Sequence, residues 1–207
     1  EPFGEIVSYG DDRLFVYIRY TECADLTQDD KAEALKKAGY PVIQIDVADL
    51  INLGQEFFRW EIAIATAGSL MGINAFDQPN VQESKDYTRS YLEEFTENGQ
   101  LPEESPVFKD GDIRIFVDEA NKQALEGAAT LEQIISAQLN RVQSGDYVAI
   151  NAYVERTPSV HDSLQTIRTM VRDAKRVATT LGYGPRFLHS TGQLHKGGPN
   201  SGVFIQV

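Results

Sequence analysis

Cysteine occurs once in this chain, as Cys23, tryptophan once, methionine twice and histidine three times. A single cysteine excludes an intrachain disulfide and suits a reducing, cytoplasmic compartment. Cys23 has no histidine beside it and no C-x-x-C partner, so it reads as structural or incidental. Long hydrophobic runs are missing too. The longest apolar stretch, Ile62 to Phe76, is broken by Thr66, Gly68, Ser69, Gly72 and Asn74, so it makes no membrane span. The opening Glu1-Pro2-Phe3-Gly4 is neither a signal peptide nor an initiator methionine, and Val207 falls inside an apolar run. The expectation is that both ends are cut from something longer.

Acid outweighs base, 31 side chains to 19, for a net charge of −12 at pH 7. That balance excludes generic binding to nucleic acid or anionic membrane, which would be repelled. The last acidic residue, however, is Asp173. The 34 residues after it carry Lys175, Arg176, Arg186 and Lys196, hence +4, which leaves −16 on the preceding 173. A small anion could be drawn to this tail; equally, Lys175 and Arg176 could end a helix, where cations suit the dipole. The same tail holds "RFLHSTGQLHKGGPNSGVF", Arg186 to Phe204, with two of the three histidines and four glycines.

The 207 residues, 42% hydrophobic and 24% charged, are enough for one substantial core or two small ones. "RLFVYIR", Arg13 to Arg19, reads as a strand. Thr27 is placed to cap a helix that Gly39 stops, and Pro41 to Val47 reads as a second strand. A long helix from Asn52 sets Phe57, Trp60, Ile64, Ala67 and Met71 on one face and is expected to be the buried central helix. A further helix starts at Pro79 and ends at Gly99, followed by a polar connection over 100–110. Then come a strand Ile113–Val117, a helix near Thr130–Val142, a strand Tyr147–Tyr153, a helix Ser159–Leu181 and a strand Val203–Val207. The alternation predicts an α/β fold, three-layered (α/β/α) with a mainly parallel sheet. It is read as one domain over 1–207, with parts 1–97 and 111–207 joined by 98–110.

Several motifs fail on their chemistry. Gly182-Tyr183-Gly184 begins like a dinucleotide fingerprint, but Phe187 stands where the third glycine belongs, and the preceding segment reads as helix, not strand. "GQLHKGG" lacks a Walker ending. His189 and His195 are six apart with no Cys or Glu cluster, a poor zinc set. His161-Asp162-Ser163 reads as the start of a helix.

Two constellations remain. "NAFDQPNVQESK", Asn74 to Lys85, lies at a junction of two helices, where free N–H groups and clustered polar side chains could gather around a sugar or phosphate. Gln78 and Lys85 are seven apart, about two helical turns, so they fall on nearly one face. A capped corner with a solvated lysine would give the same pattern. The other is the Arg186–Phe204 loop, whose glycines permit close backbone approach and whose His189 is of the side-chain type suited to acid/base work. His189, following Phe187-Leu188, could equally be a core-edge residue.

At these residues the chain resembles a family. "GINAFDQPNVQESK" is similar to the signature near the end of the last sugar-isomerase (SIS) domain of glucose-6-phosphate isomerases, whose FDQ…K pair corresponds to Gln78 and Lys85. "LHSTGQ", Leu188 to Gln193, resembles the segment that carries the ring-opening histidine, here His189. The order departs from ordinary bacterial isomerases, where the histidine segment comes first. It is similar instead to the C-terminal, second SIS-domain part of bifunctional transaldolase/glucose-6-phosphate isomerase proteins, and on that basis spans essentially the whole chain.

The resemblance implies catalytic roles for His189 and Lys85 and substrate binding by Gln78, Gln193, His195 and Lys196, with Asn200 a weaker candidate. It implies interconversion of glucose 6-phosphate and fructose 6-phosphate through an enediol(ate), with no metal or organic cofactor. His189 would move protons at the ring oxygen and O1, Lys85 would assist opening or stabilise oxygen charge, and Gln78 would orient the sugar. The family's general-base glutamate motif and its phosphate loop are not found, so a missing N-terminal isomerase domain and a transaldolase domain are expected partners, and the chain alone is expected to be inactive. A homodimer is also compatible. Two other classes stay open: a non-catalytic sugar-phosphate-binding SIS module, and a structural module for dimerisation or docking.

Overall fold

The computed structural model describes residues 3–207. The protein is mixed α/β and forms two compact units, one running through Asp77 together with Thr169–Arg176, the other comprising Gln78–Arg168 and Val177–Val207. The boundary falls at Asp77/Gln78, inside the first motif, and the 98–110 connection lies within the second unit.

The first unit contains a β-α-β crossover. Strand β1 (Phe15–Tyr20) pairs in parallel with β2 (Val42–Val47), from Phe15 opposite Val42 to Tyr20 opposite Val47. Between them runs α1 (Leu26–Lys37). Its cap is Asp25, not Thr27: the Asp25 carboxylate accepts from the N–H groups of Thr27 and Gln28 at 2.9 and 3.3 Å. Aspartate caps well because a charged acceptor also meets the positive end of the helix dipole. Tyr9, Phe15 and Leu35 form a small core, edged by Phe3, Ile6, Tyr40 and Val42. The Tyr9 and Phe15 rings meet edge-on at 4.9 Å, a favoured aromatic geometry.

Two basic residues near the end of helix Pro158–Lys175, Arg172 and the tail's Arg176, are spent on this core. The Arg172 guanidinium lies over the Tyr9 ring at 5.7 Å, and Arg176 donates to the Tyr9 carbonyl at 2.9 Å. Arg176 also adopts φ +58, a left-handed conformation uncommon outside glycine, directly after α6 (Pro158–Lys175). Its position at a helix end was legible; its contact with a residue 167 positions away was not.

The expected buried central helix is a correction. Helix α2 (Leu53–Met71) forms, but its buried residues are Glu56 and Gly68, while Phe57 is 65% and Met71 66% exposed and Trp60 and Ile64 are exposed as well. It packs chiefly with the short 3-10 turn Leu50–Asn52 before it. The periodicity was real, but a stripe of apolar residues is buried only if another layer covers it, and the described residues of this unit provide none.

The second unit opens with α3 (Pro79–Asn98), which has Pro79 in its first turn. It ends at Gly99, whose φ of +71 lets its N–H turn back to the Phe95 carbonyl at 2.8 Å. The 98–110 connection contains an overlooked strand: β3 (Phe108–Asp110) pairs antiparallel with β4 (Ile113–Ile115). Short helices α4 (Glu119–Lys122) and α5 (Leu131–Asn140) follow, the latter capped by the Thr130 hydroxyl.

A three-stranded parallel sheet forms the centre of this unit, ordered β6 (Ala178–Tyr183), β5 (Tyr147–Ala152), β7 (Gly202–Gln206). The expected helix Ser159–Leu181 is thus a second correction: α6 stops at Lys175 and the chain turns into β6. The β-branched run after Arg176 prefers a pleated surface, and the left-handed Arg176 breaks the helix. Consequently Gly182 and Tyr183 are the last residues of a strand, with Gly184 just beyond it; the dinucleotide reading still fails, because Phe187 stands at its third glycine position and a 3-10 turn, Arg186–His189, comes next.

Side chains alternate along β5. Ile150 and Ala152 face α6, where they pack with Leu164 and Val160. Tyr147, Ala149 and Asn151 point to the opposite face, which carries the Arg186–His189 turn and α7 (Gly192–Gly197).

Candidate functional site

The Gln78–Lys85 part of the first motif and the whole LHSTGQ segment lie in the second unit, and they meet there. The Gln193 side-chain amide donates to Asn80 Oδ1 at 2.7 Å and accepts from the Asn80 backbone N–H at 3.3 Å. Asn80 sits in the first turn of α3, so one of that helix's unpaired N–H groups is satisfied by a side chain 113 residues away. Gly197 makes room for this pair: a Cβ there would lie 2.7 Å from Gln193 Nε2 and closer still to Asn80 Oδ1. The glycine read as admitting a ligand admits the protein's own amides.

Around this junction the candidate residues take different positions. Gln78 is the N-cap of α3, exposed, with φ −134 and ψ 65 and no capping hydrogen bond of its own. Because it lies outside helical dihedrals, the seven-residue spacing to Lys85 does not fix its side-chain direction. Lys85 is exposed on α3, five residues past Asn80, or about 7.5 Å along the axis. His189 ends the 3-10 turn, exposed, four residues before Gln193. Among the described residues no hydrogen bond joins Lys85 and His189. Lys196 and Asn200 are exposed, whereas Gln193 and His195 are half-buried.

His195 has the most defined surroundings of the candidates. Its ring stacks on Tyr147 at 5.8 Å and meets Phe204 and Phe187 edge-on at 5.1 and 6.1 Å. Its Nδ1 lies 3.0 Å from the Tyr147 hydroxyl. Burial in this aromatic nest pushes the His195 imidazole below its usual range and the Tyr147 phenol above its own. Both are therefore neutral near pH 7. A phenol is the better donor and an imidazole nitrogen the better acceptor, so Tyr147 donates to Nδ1 and the proton of His195 resides on Nε2.

The segment leading to His189 leaves the sheet at the carboxyl end of β6, where open parallel sheets take their ligands. That edge holds a second polar group. His161 Nδ1 lies 3.2 Å from the Tyr183 hydroxyl, and the Arg156 guanidinium sits 5.7 Å from the centre of the Tyr183 ring. His161 is indeed in the first turns of α6, as its sequence context indicated.

Sequence reasoning missed three residues here. Asn80 lay within the quoted motif but has no matching role in FDQ…K. Tyr147 offered no signal beyond strand propensity. Asn151 did offer one: an amide inside the apolar run "YVAINAY". It is 8% exposed, and its Oδ1 is buried with no donor among the described residues.

A cavity of about 460 Å³, lined by Tyr91, Leu101, Pro102, Glu104 and Phe116, contains none of the candidate residues. With a carboxylate and no cation in its wall it suits no sugar phosphate. No family model and no solved structure matches the chain.

Proposed function

We propose that this protein is the second sugar-isomerase portion of a glucose-6-phosphate isomerase, with the three-layered SIS arrangement, within a longer chain that also bears transaldolase. The observation that carries this reading is the amide pair Asn80–Gln193. It joins the FDQ…K helix to the LHSTGQ segment in one compact unit, as two motifs serving one sugar should be joined. The place where the His189 segment leaves the sheet, at the carboxyl edge of β6, supports it as well.

In this reading the imidazole of His189 moves protons at the ring oxygen and O1, and Lys85 steadies developing oxygen charge. Gln78 orients the sugar without adding charge. The proton shift between C1 and C2 needs a carboxylate, which belongs to the missing isomerase domain. The Gln193 amide acts through Asn80, holding the histidine segment against α3.

The test is steady-state isomerisation of fructose 6-phosphate by the full protein. Replacing a general acid/base costs about 10²- to 10⁴-fold, so His189→Ala and Lys85→Ala should each lower kcat by at least about a hundredfold. Undiminished turnover in both variants would remove these residues from the mechanism and the reading with them.

A further inference from the structure

Asn151 is the penultimate residue of β5, the central strand, between β6 and β7. Its register neighbours are Gly182 and Gln206. Gly182 has no side chain to offer, and the space where a Cβ would stand is closed by the Phe187 side chain, whose own Cβ would lie 2.8 Å from it and whose ring would begin at 3.2 Å. The rest of β5 is apolar apart from Tyr147 at its start. Here the fold keeps an amide oxygen that is withdrawn from water and unpaired by any described donor.

Such a group lowers stability, because the hydrogen bond lost to water is not replaced. Native proteins retain few of them, and each calls for a cause. The position suggests one. Asn151 faces the side of the sheet covered by the Arg186–His189 turn, close to the carboxyl edge from which that turn departs. An uncharged amide acceptor there suits a hydroxyl and does not suit a phosphate.

We propose that Asn151 is a substrate-binding residue whose Oδ1 accepts a hydrogen bond from a hydroxyl of the sugar. The assignment rests on the sugar-phosphate reading given above. Access to Oδ1 then requires the Phe187–His189 turn to shift, which places the histidine of that turn beside the bound sugar.

Calorimetric titration of the protein with fructose 6-phosphate and, separately, with inorganic phosphate tests this, in the wild type and in Asn151→Leu and Asn151→Asp. Leucine removes the unpaired oxygen, whereas aspartate retains an acceptor. The expected result is an Asn151→Leu protein at least as resistant to heat as the wild type, with fructose 6-phosphate affinity about tenfold lower and phosphate affinity unchanged. Asn151→Asp should bind the sugar phosphate better than Asn151→Leu. If Asn151→Leu melts earlier and binds fructose 6-phosphate as the wild type does, the oxygen is satisfied by a structural water and the proposal is overturned. Equal loss toward both ligands would also overturn it, since phosphate has no sugar hydroxyl to lose. A wild type that binds neither ligand would instead refute the sugar-phosphate reading itself. Should Asn151→Leu fail to fold, Asn151→Ala, which also removes the oxygen, carries the same affinity comparison.

Discussion

His195 shows how one residue's surroundings set a measurable property. Packed among Tyr147, Phe187 and Phe204, it loses hydration that its charged form needs, so its affinity for a proton falls on folding. The unfolded chain then binds the proton more tightly. This residue's contribution to stability is complete above about pH 6.5 and declines as pH falls below that value toward the lower folded one. Between pH 7.5 and pH 5 the wild-type urea midpoint should drop further than that of His195→Phe, which keeps an aromatic ring but does not titrate. Parallel midpoints would mean the imidazole is solvated. Histidine NMR would report the hydrogen bond separately: Nδ1 should resonate as an unprotonated nitrogen, and Tyr147→Phe should raise its protonated fraction. The neighbouring Gln193 offers a second residue-level test. The Asn80–Gln193 pair makes two hydrogen bonds, each contributing roughly 1 kcal/mol net. Gln193→Ala and Asn80→Ala should each cost about 1–2 kcal/mol, and the double variant clearly less than their sum. Additive losses would show that the two amides act independently.

At the scale of elements, the sequence pattern identified most helices and strands, because propensity and caps are local. Pro79 and Gly99 bracketed α3 correctly, since each acts through its own backbone dihedrals. Local signals failed where a distant group decided the outcome. Thr27 and Asp25 both suit a cap, and only the observed hydrogen bonds distinguish them. The segment after Lys175 continues an apolar helical pattern, yet β5 was waiting to pair with it, and pairing won. Helix α2 is the clearest case, for its stripe says only that a partner surface would be favourable. Substitutions should separate these situations. Leu35, 1% exposed on α1, should cost about 2–5 kcal/mol when replaced by alanine. Leu70→Glu on α2, at a position 84% exposed, should change stability by no more than about 0.5 kcal/mol. Chemical denaturation of both variants reads the difference directly; a large loss in Leu70→Glu would mean α2 is covered in solution.

For the molecule as a whole, the uneven charge proved to be less a ligand signal than its position suggested. Arg176 and Arg172 serve the Tyr9 core, so two of the three basic residues near the end of α6 are structural. What remains for an anion is Lys196, Arg186 and the histidines around the sheet's carboxyl edge, together with Lys85 on α3. The candidate site was legible as two motifs because each is compact in sequence. Its joining residue was not, since the Asn80–Gln193 pair spans 113 positions. Among the described residues no helix is long and apolar enough to cross a membrane, as the broken run from Ile62 to Phe76 indicated. The central claim is that the two motif segments form one sugar-phosphate site. Titrating the chain with fructose 6-phosphate in a calorimeter, alongside Lys85→Ala and His189→Ala, tests it most directly. Saturable binding by the wild type, weakened at least about fivefold in each variant, is the predicted result; no saturable binding, or the same affinity in all three proteins, would contradict it.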